Sequence, residues 1–193
     1  MNIYLKMTMV VVVPILLLAS GCSDDDDSSS GGGGDSSNLS ITSTNFNEGG
    51  AIPTNNISNV CSGGNQSPQL SWTNAPSNTV EFAIVMDDES TPGCNTGINA
   101  CVHWGLFNIK SSTTSLIENA TINPPMTESQ NGAIGKDYEG PCPPSTHIYK
   151  FTVYALSSDI TPDMDAMWTR ASFSSTYSGQ IVDSATLSGT YTP

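Results

Sequence analysis

The chain has 193 residues, with 18 acidic and 5 basic side chains and a formal net charge of −13 at pH 7. From Leu39 onward there are 13 acidic and 4 basic residues, which gives that part of the chain a net charge of −9. A field of this sign repels nucleic acid and anionic lipid headgroups, so we expect no non-specific binding to either. Residues 39–193 have the length of one domain of ordinary size.

The first 21 residues have the pattern of an export signal. Lys6 is followed by an apolar run over residues 7–18, which only Thr8 and Pro14 interrupt. The run is shorter than the roughly 20 apolar residues that a membrane-spanning helix needs. Small residues follow it, as they do at a signal-peptide cleavage site. Residues 1–21 are therefore predicted to be a signal peptide.

The segment Leu18-Ala19-Ser20-Gly21-Cys22 resembles the lipobox of bacterial lipoproteins, whose cysteine is acylated, as with palmitate, and becomes the new N-terminus. The leucine usual three residues before the cysteine is Ala19 here, and Leu18 lies one residue earlier. The alternative is an ordinary secretory signal with a chance cysteine. The resemblance implies a lipid-anchored protein of the bacterial cell envelope, at the outer membrane, its periplasmic face or the cell surface. No other apolar run is long enough to span a bilayer, so the lipid would be the only membrane attachment.

Residues 22–38 are predicted to be a flexible linker. Four aspartates at 24–27 are followed by runs of serine and glycine, and such a composition cannot bury apolar area. Two interpretations of the acidic run remain open. It is a solvated tether, or it is a sorting signal of the kind it resembles in surface-exposed lipoproteins of the Bacteroidetes type.

Four cysteines follow Cys22. An even number in an exported protein predicts two disulfides. Cys94 and Cys101 close a short loop rich in glycine and asparagine and are the first expected pair, which leaves Cys61 and Cys142 for each other. No Cys-x-x-Cys pair is present and the histidines lie elsewhere, so we expect no metal site.

Apolar runs of strand length recur along the domain between clusters of Gly, Pro, Asn and Ser. The predicted strands cover residues 39–43, 80–86, 102–109, 148–156 and 185–191. Helix signals are few: Thr161 and Pro162 predict a short helix over residues 161–168, and a second is expected over 174–182. Many strands with long irregular connections favour an all-β fold with minor short helices, an antiparallel β-sandwich over residues 39–193.

Two histidines and an acidic cluster are the candidate functional groups. His103 lies early in the strand predicted over 102–109, and alternation along the strand over 148–156 places His147, Tyr149 and Phe151 on one face. Three acidic residues, 87–89, end the strand over 80–86. From the residues alone, an acidic surface turn with two hydrogen-bonded histidines remains the plain alternative to a functional site.

Five segments carry a resemblance that spans essentially the whole of residues 39–193. They are residues 46–53 (FNEGGAIP), 61–72 (CSGGNQSPQLSW), 82–89 (FAIVMDDE) with Pro92 and the later His103-Trp104, 138–149 (YEGPCPPSTHIY) and 187–191 (LSGTY). In this order they resemble the phosphatidylethanolamine-binding protein family, in its bacterial Raf-kinase-inhibitor-like branch. The combination of the Gly-Pro-Cys-Pro-Pro run with a nearby His-x-Tyr is the most specific part.

This resemblance implies a β-sandwich with a small pocket that holds phosphate, acetate or a phospholipid headgroup. By matching position, the pocket would contain Asp87, His103, Gly140, Pro141, His147 and Tyr149. Imidazoles and backbone N–H groups can donate to an oxyanion, and charge-assisted hydrogen bonds are the stronger kind. A carboxylate such as Asp87 can fix the tautomer of an imidazole.

The sequence also departs from the family pattern. The family's Asp-Pro-Asp-Ala-Pro corresponds to residues 87–92 (DDESTP), where Glu89 replaces the second acid and the central proline is missing. The arginine usual after the second histidine is Ile148, and we expect its loss to affect a structural ion pair rather than the pocket. The changed turn bears on the role of Glu89 more than on that of Asp87.

The resemblance therefore favours non-catalytic binding of a small anion such as phosphate, or of a phospholipid headgroup, with no cofactor. One alternative is an inhibitor or interaction module that binds a protein partner, an envelope hydrolase. Another is an enzyme in which His103 and His147 act as acid and base near Asp87, although no activated serine or cysteine nucleophile is visible. Fold alone does not decide between these functions.

Overall fold

The computed structural model describes residues 38–90, 100–133 and 135–193. Its strands are β1 (Ser40–Thr42), β2 (Gly50–Ala51), β3 (Leu70–Thr73), β4 (Glu81–Asp88), β5 (Cys101–Lys110), β6 (Ser115–Leu116), β7 (Thr127–Glu128), β8 (His147–Leu156) and β9 (Ile181–Tyr191). One helix, α1 (Arg170–Thr176), lies between β8 and β9, and two 3₁₀ turns cover Thr54–Asn56 and Asn59–Cys61. Within these described ranges, no helix is long and apolar enough to cross a membrane.

The strands form two sheets. The smaller sheet has the order β1-β3-β6, and the larger has the order β2-β9-β8-β4-β5-β7. The described strand pairs are antiparallel, except that the short β2 runs parallel to β9. The prediction of an all-β sandwich is confirmed, and all five predicted strands are present, with β9 beginning at Ile181 rather than at residue 185.

Side-chain alternation along β4 divides the core into two parts. Phe82, Ile84 and Met86 point toward the smaller sheet and join the main core, which also contains Trp72 from β3. Ala83 and Val85 point the other way and pack in a second cluster under α1. Because β4 is buried on both faces, its sequence reads as an unbroken apolar run.

Helix α1 begins at Arg170, directly after its N-cap residue Thr169. The Thr169 hydroxyl accepts the backbone N–H of Ser172 at 3.0 Å, and the Ser172 hydroxyl accepts the backbone N–H of Thr169 at 3.0 Å, which is a reciprocal capping box. Phe173, fully buried in the second cluster, holds the helix against the larger sheet. Burial of an aromatic side chain of this size contributes about 1.5–3 kcal/mol.

The first predicted helix is wrong, and the second is displaced, because the helix present covers Arg170–Thr176 and shares only residues 174–176 with the predicted range. Over residues 161–168, Asp163 makes local bonds instead: its carboxylate accepts the N–H of Asp165 at 2.9 Å, and its carbonyl accepts the indole N–H of Trp168 at 2.9 Å. Such local bonds offer the backbone an alternative to a helix. Over residues 174–182, helix α1 ends at Thr176 and β9 already begins at Ile181.

Candidate functional site

A cavity of about 370 Å³ lies at one end of three neighbouring strands of the larger sheet, β8, β4 and β5. Asp88 is the last residue of β4, while Cys101 and His147 are the first residues of β5 and β8. Residues from the loop between β7 and β8, among them Glu139, Gly140 and Pro144, complete the lining. Val60, 80% exposed, lies at the cavity as an apolar residue of the second 3₁₀ turn.

Asp88 fixes the orientation of His147. Nδ1–H of His147 donates to Oδ2 of Asp88 at 2.6 Å, and both side chains are buried. The other oxygen of Asp88 accepts the backbone N–H of Ser90 at 2.7 Å. This carboxylate therefore holds the His147 tautomer, and Nε2 is the ring nitrogen that remains for a ligand.

A β-bulge places His103 in the cavity. Met86 of β4 pairs with Trp104, and the next residue, Asp87, pairs with Val102, so His103 is the extra residue of β5. A bulge re-aims side chains. Here it lets His103 line the cavity while the adjacent Trp104 joins the main core.

The proton of His103 can be assigned from its partner. Nδ1 lies 2.8 Å from the carbonyl oxygen of Glu139, and because a carbonyl only accepts, Nδ1 carries a hydrogen. Burial lowers the pKa of His103 below its ordinary value of 6.5, and the bond to Glu139 offsets this only in part. Near pH 7 the ring is therefore neutral, and its Nε2 presents a lone pair.

Tyr149 forms the floor beneath both imidazoles. Its ring packs edge-on to His103, with 5.0 Å between the ring centroids, and stacks against His147 at 6.5 Å. The side chain is almost wholly buried, and this burial raises the pKa of Tyr149 well above its ordinary value. The phenol therefore stays neutral and acts as a rigid support.

The loop that carries Gly140 is docked on the two 3₁₀ turns. A Cβ on Gly140 would lie 2.5 Å from a backbone atom of Ile57, so this close approach requires glycine. The N–H of Gly140 donates to the side chain of Asn65 at 2.8 Å, and the carbonyl of Pro141 accepts the N–H of Ser58 at 3.0 Å. The Gly140 N–H, a backbone donor expected for the ligand, is therefore already used by Asn65.

A disulfide between Cys61 and Cys142 joins the second 3₁₀ turn to the same loop, with its Cα atoms 5.6 Å apart. Cys101 is also disulfide-bonded, and its expected partner, Cys94, lies outside the described residues. Cys101 and Cys142 both line the cavity. The walls of the cavity are thus covalently tied at two points.

The structure brings together three of the six predicted pocket residues as lining: His103, Gly140 and His147. Tyr149 supports them from below, and Pro141 points its carbonyl away toward Ser58. Within the described ranges, no group of three or more His, Cys, Asp and Glu side chains is placed to hold a metal ion.

Asp87 is a correction to the predicted pocket. It lies on the opposite face of β4, where its carboxylate accepts the side-chain Nε–H of Arg170 at 2.5 Å and the backbone N–H of Arg170 at 2.8 Å. Glu89 belongs to the same cluster and pairs with Arg170 and with Lys150. Alternation thus assigns the predicted role of Asp87 to Asp88.

The missing arginine at position 148 has a local consequence. Ile148 is 47% exposed, and the cations of the ion pairs on this face of the sheet are Arg170 at the start of α1 and Lys150 of β8. The pocket is not part of this cluster. That the substitution affects an ion pair rather than the pocket stays a prediction.

Glu139 is a cavity residue that the sequence analysis missed. The residue lines the cavity and is 7% exposed, and its Oε2 is buried without a hydrogen-bond partner among the described residues. Its position directly before Gly140, inside the segment that carries the family resemblance, was the one signal in the sequence. For Asp88 there was a signal, because alternation from Phe82, Ile84 and Met86 leads to it.

Fold and site together define an all-β sandwich domain with a histidine-lined cavity at one sheet edge. The family model described as phosphatidylethanolamine-binding protein matches residues 42–192. The chain belongs to the phosphatidylethanolamine-binding protein family, which confirms the resemblance seen in the sequence motifs.

Individual relatives are archaeal and bacterial. A UPF0098 protein of Methanothermobacter thermautotrophicus is 32% identical over 153 residues, which cover 76% of this chain and 93% of the relative. Among solved structures, YbcL of Escherichia coli has a TM-score of 0.71 at 25% identity, covering 80% of this chain and 98% of that one. A phosphatidylethanolamine-binding protein homolog of Chlamydia trachomatis has a TM-score of 0.70 at 27% identity, covering 82% and 99%.

Proposed function

We propose that this domain binds a small phosphate-bearing ligand, free phosphate or a phospholipid headgroup, without converting it chemically. One observation carries the proposal: two imidazoles line a single cavity, and each has its Nδ1 engaged by a protein acceptor. Both Nε2 atoms are left for a ligand. The cavity, about 370 Å³, has the size of a small-molecule site.

The protonation of the imidazoles determines how such a ligand binds. A neutral imidazole with hydrogen on Nδ1 can only accept at Nε2, so it cannot donate to a phosphate oxygen. Protonation of His147 turns its Nε2 into a donor, and the adjacent Asp88 balances the new charge. A phosphate oxygen bound at Nε2 of His147 would therefore need the hydrogen that protonation places there.

The name of the matching family model supports this choice of ligand chemistry. The rigid surroundings support it as well, because the disulfide and the docked loop hold the cavity walls in place before a ligand arrives. A preformed site loses little conformational entropy on binding.

The test is calorimetric titration of the domain with inorganic phosphate and with a short-chain phosphatidylethanolamine, at pH 6 and at pH 8. Comparing the two ligands separates a free anion from a headgroup. His147→Ala should weaken binding by about 1.5–3 kcal/mol, a factor of about ten to a hundred, because it removes a charge-assisted hydrogen bond. Ile148→Ala is the matched control on the opposite face. Unchanged affinity in both His103→Ala and His147→Ala, with the fold intact by circular dichroism, would contradict the proposal.

We also propose that Cys22 carries the lipid that anchors the domain to the cell envelope, with residues 22–38 as the tether. The lipobox-like segment supports this, and it lies outside the described residues. Cys22→Ser should move the protein from the membrane fraction to the soluble fraction. Continued incorporation of labelled palmitate into the Cys22→Ser protein would show that the anchor lies elsewhere.

A further inference from the structure

The turn after β4 is joined to the beginning of β8 by hydrogen bonds of one serine. Asp88, the last residue of β4, pairs with Tyr149 of β8. Beyond this pair, the hydroxyl of Ser90 accepts the backbone N–H of Ile148 at 3.0 Å. The backbone N–H of Ser90 donates to Oδ1 of Asp88 at 2.7 Å. Ser90 is therefore bonded to β8 through its side chain and to the Asp88 carboxylate through its backbone.

These bonds close a ring that includes His147. Nδ1–H of His147 donates to Oδ2 of Asp88 at 2.6 Å, and the peptide bond joins His147 to Ile148. Both oxygens of Asp88 are thus used, one by the imidazole and one by the turn. The Asp88 side chain is 2% exposed, so water has little access to either bond. A carboxylate held by donors from two segments has a fixed orientation, and it fixes the orientation of the imidazole.

The hydroxyl of Ser90 is the member of this ring that a substitution can remove with little other change. Ser90 is exposed and belongs to neither core cluster. Its neighbour Glu89 also reaches β8, through the ion pair with Lys150, but that pair lies on the α1 face and is partly exposed. Exposed ion pairs restrain the backbone weakly. Loss of the hydroxyl therefore leaves the cavity side of the turn without its bond to β8.

His103 does not belong to the ring. Its Nδ1–H donates to the carbonyl of Glu139, which lies in the loop between β7 and β8. The two imidazoles that line the cavity are thus held by separate segments of the chain. A change confined to Ser90 should reach His147 and leave His103 as an internal reference.

We propose that Ser90 is a positioning residue of the site: its hydroxyl fixes the turn after β4, so that Asp88 holds His147 with Nε2 available to the ligand. Ser90 is not among the described residues that line the cavity, so it acts through Asp88 rather than by contact with the ligand. This inference rests on the proposed phosphate site and adds the residue that orients one of its two imidazoles.

The test compares the full-length wild-type protein with Ser90→Ala, which removes the hydroxyl, and Ser90→Thr, which keeps it. Ser157→Ala is the matched control, because the Ser157 hydroxyl bonds to the carbonyl of Gln180 at 3.1 Å, at the other end of β8. Proton NMR of the free protein at pH 7 follows the Nδ1–H signals of His103 and His147. Calorimetric titration with inorganic phosphate follows binding.

Ser90→Ala should shift or broaden the Nδ1–H signal of His147, speed its exchange with water and leave the His103 signal in place. Phosphate affinity should fall by a factor of about two to ten, the effect of one neutral hydrogen bond. Ser90→Thr and Ser157→Ala should both match the wild type in the NMR signals and in phosphate affinity. A general loss of structure would instead disturb both histidines.

An unchanged His147 signal in Ser90→Ala would overturn the inference, and so would an equal disturbance of both histidines or a failure of Ser90→Thr to restore the signal. Failure of the wild type to bind phosphate would overturn the proposed function, while the signals of the free protein still decide whether Ser90 positions His147. If Ser90→Ala does not fold, the wild type decides: a His147 Nδ1–H that exchanges with water as fast as a free imidazole would contradict the ring.

Discussion

Two neighbouring aspartates on β4 show how differently the two faces of one sheet use charge. Asp87 points toward α1, and its carboxylate accepts two hydrogen bonds from Arg170. Asp88 points into the cavity, where it holds His147. Both are buried, and they are adjacent in the chain.

The difference lies in what each face leaves unpaired. On the α1 face, Asp87, Glu89, Lys150 and Arg170 form a connected set of ion pairs. On the cavity face, the Nε2 atoms of His103 and His147 have no hydrogen-bond partner among the described residues. A satisfied network holds α1 to the sheet, whereas unsatisfied groups in a cavity are available to a ligand.

The largest expected effect on stability comes from removing the Asp87 carboxylate from the ion pairs on the α1 face. Asp87→Ala leaves the guanidinium and the first N–H of α1 without their buried acceptor. Removing one partner of a buried ion pair costs about 3–5 kcal/mol of unfolding free energy. Urea unfolding followed by circular dichroism measures this loss, with Asp165→Ala as control, because its ion pair with Lys136 is exposed. A loss under about 1 kcal/mol, the scale of a surface ion pair, would mean that the pair does not hold the helix.

Asp88→Asn should have a smaller effect on stability and a larger one on binding. Asparagine keeps one acceptor for His147 or Ser90 but lacks the charge, so the unfolding free energy should fall by about 2 kcal/mol, the value of a hydrogen bond to a charged group. Phosphate affinity should fall as well, because protonated His147 loses its counter-charge. Asp87→Ala, measured at a temperature below its unfolding midpoint, should retain phosphate binding. If Asp87→Ala loses phosphate binding and Asp88→Asn retains it, the pocket residue is Asp87 and not Asp88.

The smallest effect concerns the pH dependence of stability. The pKa of folded His103 is lowered by burial, whereas in the unfolded chain it lies near 6.5. Below about pH 6.5 the unfolded state therefore binds the extra proton, and stability falls as the pH falls. One such group accounts for at most about 1 kcal/mol between pH 6.5 and 5.5. Stability curves of the wild type and of His103→Gln should diverge in that interval by up to this amount, and parallel curves would rule out a depressed pKa.

The sandwich was predictable because strand-length apolar runs and turn residues mark it in the sequence. The helices were not predictable in the same way. Thr161 and Pro162 are typical of a helix start, but Asp163 makes local hydrogen bonds that replace the helix. The true start is marked by Thr169 and Ser172, a weaker capping box in which serine takes the place of the usual glutamate.

The pocket was predictable where residue type and motif coincide, as at His103 and His147. Asp87 was wrongly placed because it was assigned by matching position in the family motif, whereas alternation from Phe82, Ile84 and Met86 leads to Asp88. The bulge that turns His103 inward depends on pairing with β4, which a single strand does not reveal. The position of Glu139 at the cavity depends on how the loop between β7 and β8 folds, which the sequence does not reveal.

The most direct test of the two-histidine site is the nitrogen NMR spectrum of the imidazoles in the full domain, with and without phosphoethanolamine. In the free protein at pH 7.5, His103 should show a protonated Nδ1 and an unprotonated Nε2. On saturation, the Nε2 signals of both rings should shift while the Nδ1 signals, held by Glu139 and Asp88, change little. Binding that leaves both Nε2 signals unmoved would contradict the account, because the ligand would then lie outside this cavity.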